Sequence, residues 1–194
     1  MANKSLLHSS LTDNIFYRSM LAGNEAYFPE FESDDFLEEV VLTSSATSVT
    51  FSGLDAYSDY KHLQIRMVAR TTDSWTSGNA TLSLNGSGMA QWHYLTGQGS
   101  SVSSGSAASS IAIYTTGNTA TSGSFASSVM DILDFSSSKN KTIRTLTGFH
   151  AGGEYSIGLW SNLWNNTAAV TSLTLTGSNS FTSGSRFSLY GSKG

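Results

Sequence analysis

Between Leu63 and Arg70 the chain alternates without a break: Leu63, Ile65, Met67 and Ala69 fall on one side, and Gln64, Arg66, Val68 and Arg70 on the other. A period of two puts successive side chains on opposite faces of an extended chain, so this run predicts a half-buried β-strand. The same pattern decides how to read the hydroxyl residues. Serine and threonine make up 58 of the 194 residues, a composition that alone suggests disorder, because such residues bury too little apolar surface to offset the entropy of ordering. Yet 39% of residues are hydrophobic and 11% aromatic. The hydroxyls are therefore expected on the solvent faces of strands and in the turns between them.

Strand signals recur from residue 40 onward: Val40 to Leu42, Val49 to Phe51, Leu63 to Arg70, Ala80 to Leu84, Gln91 to Leu95, Ile111 to Thr115, Phe125 to Phe135, Lys141 to Phe149, Tyr155 to Trp160, Val170 to Thr176 and Arg186 to Tyr190. About ten strands in one core predict an all-β fold, a two-sheet antiparallel β-sandwich. Asn85-Gly86 predicts a hairpin joining the strands on either side of it. Pro29 is the chain's only proline, consistent with ladders that exclude it. Gly97 to Ser110 and Thr115 to Ser124 are read as loops projecting from one end of the sandwich.

Residues 1–39 read differently from the β-sandwich domain expected over 40–194. Ser10-Leu11-Thr12-Asp13 resembles a capping box, Leu11, Ile15, Met20 and Leu21 follow, and Gly23 closes a short N-terminal helix predicted over about 11–22. Seven of the 14 acidic residues then lie between Glu25 and Glu39, in what reads as an acidic connector. Leu11, Ile15, Phe16, Tyr17, Tyr27, Phe28 and Phe31 are the candidate assembly contacts, should this arm dock on another subunit.

Charge and chemistry narrow the function. Only 12% of residues are charged, the net charge is −4, and no basic surface is available to neutralise a phosphate backbone, so nucleic acid is not expected as a partner. No run of eighteen apolar residues occurs, and Met1 to Ser10 lacks the apolar core of a secretory signal, so neither membrane insertion nor export is expected. The absence of cysteine excludes disulfides and thiolate zinc sites. His8, His62, His93 and His150 have no metal-ligand spacing, the serines form no nucleophile elbow, and Gly86-Ser87-Gly88-Met89-Ala90-Gln91 lacks the third glycine of a dinucleotide loop. No catalytic, cofactor-binding or metal residue is assigned. Asp55, Asp59, Asp131 and Asp134 are read as carboxylates accepting turn hydrogen bonds, in preference to a glycosidase pair or a calcium site. Trp75, Trp92, Trp160 and Trp164, with Tyr94, Tyr114 and Tyr155, are read mainly as core or interface residues. Trp164 opens the polar run Trp164-Asn165-Asn166-Thr167, which makes it the tryptophan expected to be exposed and the candidate glycan contact.

The segment from Tyr60 to Thr72, YKHLQIRMVARTT, resembles a strand of a family of small β-rich structural proteins of tailed bacteriophages, common among marine and cyanobacterial phages. Further pieces match in order: Leu82 to Gly86, His93 to Val102, Asp131 to Phe135, Lys141 to Arg144, Gly158 to Trp160, Val170 to Leu175 and Phe187 to Gly194. The resemblance covers about residues 40–194. It implies a jelly-roll-like, non-enzymatic virion structural protein, made in the host bacterial cytoplasm and associated with capsid, tail or fibre among other virion proteins. It implies no catalytic residues and no cofactor. A homo-oligomer is expected, with a trimer favoured by analogy. The alternative is a receptor-recognition module that binds a host surface glycan.

Overall fold

In a computed structural model of the chain, residues 34–108 and 112–193 are described. The expected helix over 11–22 and the arm contacts Leu11, Ile15, Phe16, Tyr17, Tyr27, Phe28 and Phe31 lie outside them. The described residues form twelve strands: β1 (Asp35–Val41), β2 (Ala46–Ser52), β3 (His62–Ala69), β4 (Ser77–Leu84), β5 (Gln91–Gln98), β6 (Ser101–Ala107), β7 (Ile113–Thr116), β8 (Ala126–Ile132), β9 (Lys141–His150), β10 (Tyr155–Trp164), β11 (Ser172–Phe181) and β12 (Arg186–Ser192). A 3-10 turn at Leu54–Tyr57 is the one helical element among them. Residues 35–39, read from sequence as part of the connector, are already in β1.

The strands make two antiparallel sheets, one of eight strands in the order β1-β12-β3-β8-β9-β10-β5-β6 and one of four in the order β2-β11-β4-β7. Setting aside β5, β6, β9 and β10, the remaining pairs nest: β1 with β12, β2 with β11, β3 with β8 and β4 with β7. That nesting describes one long hairpin rolled so that its arms alternate between two sheets, which is the jelly-roll arrangement. The four additional strands extend only the larger sheet and form a wing on one side of it.

Period two carries the core. In β3 the odd-numbered residues Leu63, Ile65, Met67 and Ala69 are buried, and in β4 and β11 so are Ala80, Leu82, Leu84, Leu173, Leu175 and Phe181. With Phe51, Phe187 and Leu189 they fill the space between the sheets. Each large side chain buried there contributes roughly 1.5–3 kcal/mol relative to exposure.

Two local expectations need correction. At Asn85-Gly86 the turn forms, with both residues at positive φ (49° and 76°) and paired Leu84–Ser87 backbone hydrogen bonds of 2.9 Å. It does not join a hairpin of β4 and β5, because the chain crosses to the other sheet after it. The Asn85 carboxamide instead accepts from the N–H groups of Thr171 (2.8 Å) and Ser172 (3.1 Å) and donates to the Ala169 carbonyl (2.8 Å), tying the turn to the chain that enters β11. Within Gly97 to Ser110, residues 101–107 form strand β6, paired with β5 in unbroken register. The loop after β7 is pinned: the Arg70 guanidinium donates to the carbonyls of Asn118, Ala120, Thr121 and Ser124 at 2.9–3.3 Å.

Candidate functional site

Two polar clusters draw charged groups together, and both are spent on the fold. Asp73, after β3, is buried; its carboxylate accepts from Thr71 Oγ1 (2.6 Å), Ser178 Oγ (2.6 Å) and Asn179 Nδ2 (2.7 Å). Burial raises its pKa, but the hydrogen bonds from Ser178, Thr71 and Asn179 outweigh that effect and hold it below the ordinary carboxylate value. Lys141, at the start of β9, is fully buried and donates to the carbonyls of Ser137 (2.7 Å), Lys139 and Ala168 (3.0 Å). Burial pushes its pKa down, against the pull of Asp134. Each group closes a loop at its own end of a strand, with its polar capacity used on protein partners.

Of the four acidic residues weighed in the sequence, Asp55 and Asp59 are exposed at and just after the 3-10 turn, and Asp131 and Asp134 are similarly occupied. Asp131 accepts from Gln64 Nε2 (2.9 Å) and pairs with Arg144 (3.7 Å). Asp134 sits at positive φ (51°) and accepts from Lys139 (2.9 Å), a hydrogen bond that leads the lowering of its pKa. Its N–H donates to His62 Nδ1 (2.9 Å), which lies 3.8 Å from the carboxylate. Among the described residues no group of three or more acidic, histidine or cysteine side chains gathers as metal ligands would.

Trp164 is corrected by the structure. Strand β10 runs to residue 164, and its parity turns Trp160, Asn162 and Trp164 inward. Trp164 is 1% exposed, with Lys141 Nζ 5.8 Å from its ring, so it presents no face to a sugar. The polar run that suggested exposure begins one residue later. Trp92, Tyr94, Tyr114 and Trp160 cluster on the inner side of the wing with ring centroids 4.9–6.3 Å apart. Trp75, in the loop before β4, is the exposed tryptophan.

The unexpected feature is the outer face of the wing. Register places Val129 of β8 opposite Leu146 of β9, Leu146 opposite Leu159 of β10, and Leu159 opposite Leu95 of β5. All four are exposed, at 36–53%. Neighbouring strands are about 4.8 Å apart, so the row is about 14 Å long. Two residues along the strands a second row runs from Gly148 through Ile157 and Gly97 to Val102. Ile157 is 58% and Val102 76% exposed, and the glycines on either side of Ile157 leave it standing as a ridge. Together the rows cover on the order of 300 Å² of sheet, the size at which an apolar patch on a monomer is often functional. The other half of the same face mixes charge with separate apolar residues: Arg66 pairs with Asp34 (3.1 Å) and lies 4.1 Å over the Tyr190 ring, Glu39 faces Arg186 (3.7 Å) and accepts from Ser188 (2.9 Å), and Phe36, Val41 and Val68 are exposed among them. Sequence reasoning missed the row, since β5 joins β10 across more than fifty intervening residues and no local signal brings Leu95 beside Leu159.

No helix among the described residues is long and apolar enough to cross a membrane. Comparison with protein-family models, with curated proteins and with solved structures finds no match to this chain.

Proposed function

We propose that this protein is a non-enzymatic structural component of a tailed-phage particle, decorating the capsid or attached to the tail or fibre apparatus, and that the outer face of the wing contacts other proteins of the particle. The observation that carries the reading is the row Val129, Leu146, Leu159 and Leu95, exposed side by side on four adjacent strands, whereas on the other half of the sheet the exposed apolar residues are interspersed with ion pairs. Leaving four aliphatic side chains in water forgoes burial worth about 25 cal/mol per Å², which a partner surface would recover. The jelly-roll order supports the reading by analogy at the level of the fold, an architecture frequent in viral capsids as well as in lectins. The sequence resemblance over about residues 40–194 points the same way, and the segment before residue 34 supplies the attachment in this reading.

The test is the double substitution Leu146→Lys with Leu159→Lys. Both side chains point away from the core, so thermal unfolding is expected to stay within a few degrees of the parent. Incorporation into particles during infection is expected to fall at least tenfold. Normal incorporation of a stably folded double variant would reject the outer face as the contact surface.

A further inference from the structure

Among the described residues the larger sheet ends on one side in β1 and on the other in β6, and the two edges are built differently. An open edge presents a row of free N–H and C=O groups, and natural sheets blunt it with charges, bulges or proline. Strand β1 carries Asp35, Glu38 and Glu39 and a register shift between Phe36 and Glu38. Strand β6, SVSSGSA, carries none of these, and its pairing to β5 is regular from Trp92–Ala107 to Gln98–Ser101. The absence of charge extends far beyond the strand: from Ser74 to Met130 there is no Lys, Arg, Asp or Glu. On its inner side β6 is held in place by Tyr94, whose ring lies against Gly105 closely enough that a Cβ there would fall 2.8 Å from it. All of its residues other than Gly105 are exposed.

We propose that β6 is a self-pairing edge: two copies of this chain join antiparallel through β6, about a two-fold axis near Ser104, into one continuous sixteen-stranded sheet. Three properties select a second copy as the occupant. An isologous contact sets the same residues against each other, so it requires a strand that does not repel itself, and an uncharged strand of Ser, Gly, Ala and Val meets that requirement although each chain carries a net charge of −4. Antiparallel pairing about Ser104 satisfies the free backbone groups of both strands at once and sets Val102 opposite Ser106 of the other copy. It also brings the two apolar rows toward each other across the axis, because Leu95 pairs with Ser104 and Gly97 with Val102. The two uncharged edges of the smaller sheet lack this last property: the exposed side chains of β2 are Thr47, Ser48, Thr50 and Ser52, and β7 exposes none.

The contact is small. Seven residues at about 3.4 Å each give a seam of about 24 Å, and with a sheet thickness of about 10 Å it covers roughly 240 Å² per copy, well under the ~800 Å² of a standard stable interface. The pairing is therefore weak and concentration-dependent in isolation, and is reinforced where many copies are held on one surface. It gives two-fold symmetry, in place of the trimer that analogy favours. It does not depend on the virion reading: self-pairing in solution and residence in a particle are separate measurements, and either can fail alone.

The chain has no cysteine, so a single introduced thiol reports on its own surroundings. Full-length Ser104→Cys is expected to form a disulfide-linked dimer under mild oxidation several-fold faster than Ser48→Cys on the edge of β2. In a mixture, Val102→Cys is expected to cross-link to Ser106→Cys faster than to itself. Light scattering of the parent protein is expected to show a mass rising from one chain toward two with concentration, and Ser104→Lys with Ser106→Lys to remain at one chain with unchanged thermal unfolding. Cross-linking of Ser104→Cys no faster than Ser48→Cys would overturn the proposal. So would self-association that survives the two lysines, whether it is then removed by Leu146→Lys with Leu159→Lys or traced to the segment before residue 34.

Discussion

Asp73 is the side chain whose removal should most clearly separate a structural carboxylate from a catalytic one. It accepts three hydrogen bonds, from the end of β3 through Thr71 and from β11 through Ser178 and Asn179. Hydrogen bonds to a charged group contribute about 1.5–3 kcal/mol each, a sum reduced by the cost of burying the carboxylate. In Asp73→Ala, Thr71 keeps Thr115 Oγ1 (3.2 Å) and the Thr116 carbonyl (3.3 Å) as partners, and water can reach exposed Ser178. The net loss is expected at about 2–4 kcal/mol, which for a domain of this size lowers the melting temperature by about 6–12 °C. Asp73→Asn keeps the shape and can still accept from Asn179, so it should cost about 1 kcal/mol.

Acid adds a second, independent signature. Because the folded-state pKa of Asp73 lies below its ordinary value of 3.8, the unfolded chain binds the proton more readily. The stability Asp73 contributes is present above pH 3.8 and is lost as pH falls through the lower, folded-state pKa. Urea unfolding of parent and Asp73→Asn across pH 7 to 2.5 should therefore show a stability gap that narrows in acid. An Asp73→Ala protein within 0.5 kcal/mol of the parent at pH 7, or a gap that does not change with pH, would refute the reasoning.

Two further substitutions probe the same physics elsewhere. A Cβ on Gly78 would collide with the Asp73 carboxylate and with the Thr71 and Thr115 hydroxyls, so Gly78→Ala should cost about 1–3 kcal/mol by overpacking, and less in an Asp73→Ala background, where the two hydroxyls remain but can turn into the space vacated, as read by a double-mutant cycle from urea unfolding. Lys141→Met removes the donor shared by three carbonyls while keeping an apolar stem beside Trp164; it should cost about 2–4 kcal/mol in urea unfolding and increase hydrogen exchange in the turn at 135–140.

The parts of the fold that could be read from sequence are those in which one face of a strand is buried. In β3 and β4 the alternation follows from a core on one side and solvent on the other, and the chain shows it directly. Strand β6 escaped because both of its faces are exposed, so nothing requires an apolar residue at every second position, and a serine-rich strand looks like a loop. At Asn85-Gly86 the local chemistry of the turn was legible, but its continuation was decided by which sheet the next strand joins, a choice made by packing far from the turn. The misplacement of Trp164 was an error of four residues in a strand end: the strand expected to stop at Trp160 runs to Trp164, which at that even spacing shares the inward face of Trp160. The candidate surface was the least legible. Leu95, Val129, Leu146 and Leu159 are individually unremarkable apolar residues, and only the order β8-β9-β10-β5 makes a row of them.

Labelled-antibody imaging of purified phage particles, paired with quantitation of the protein in the same preparation, tests the central claim most directly. The account predicts label at regular positions on the particle and a fixed number of copies per particle. Label confined to the soluble fraction of the lysate, with particles bare of it, would contradict the account.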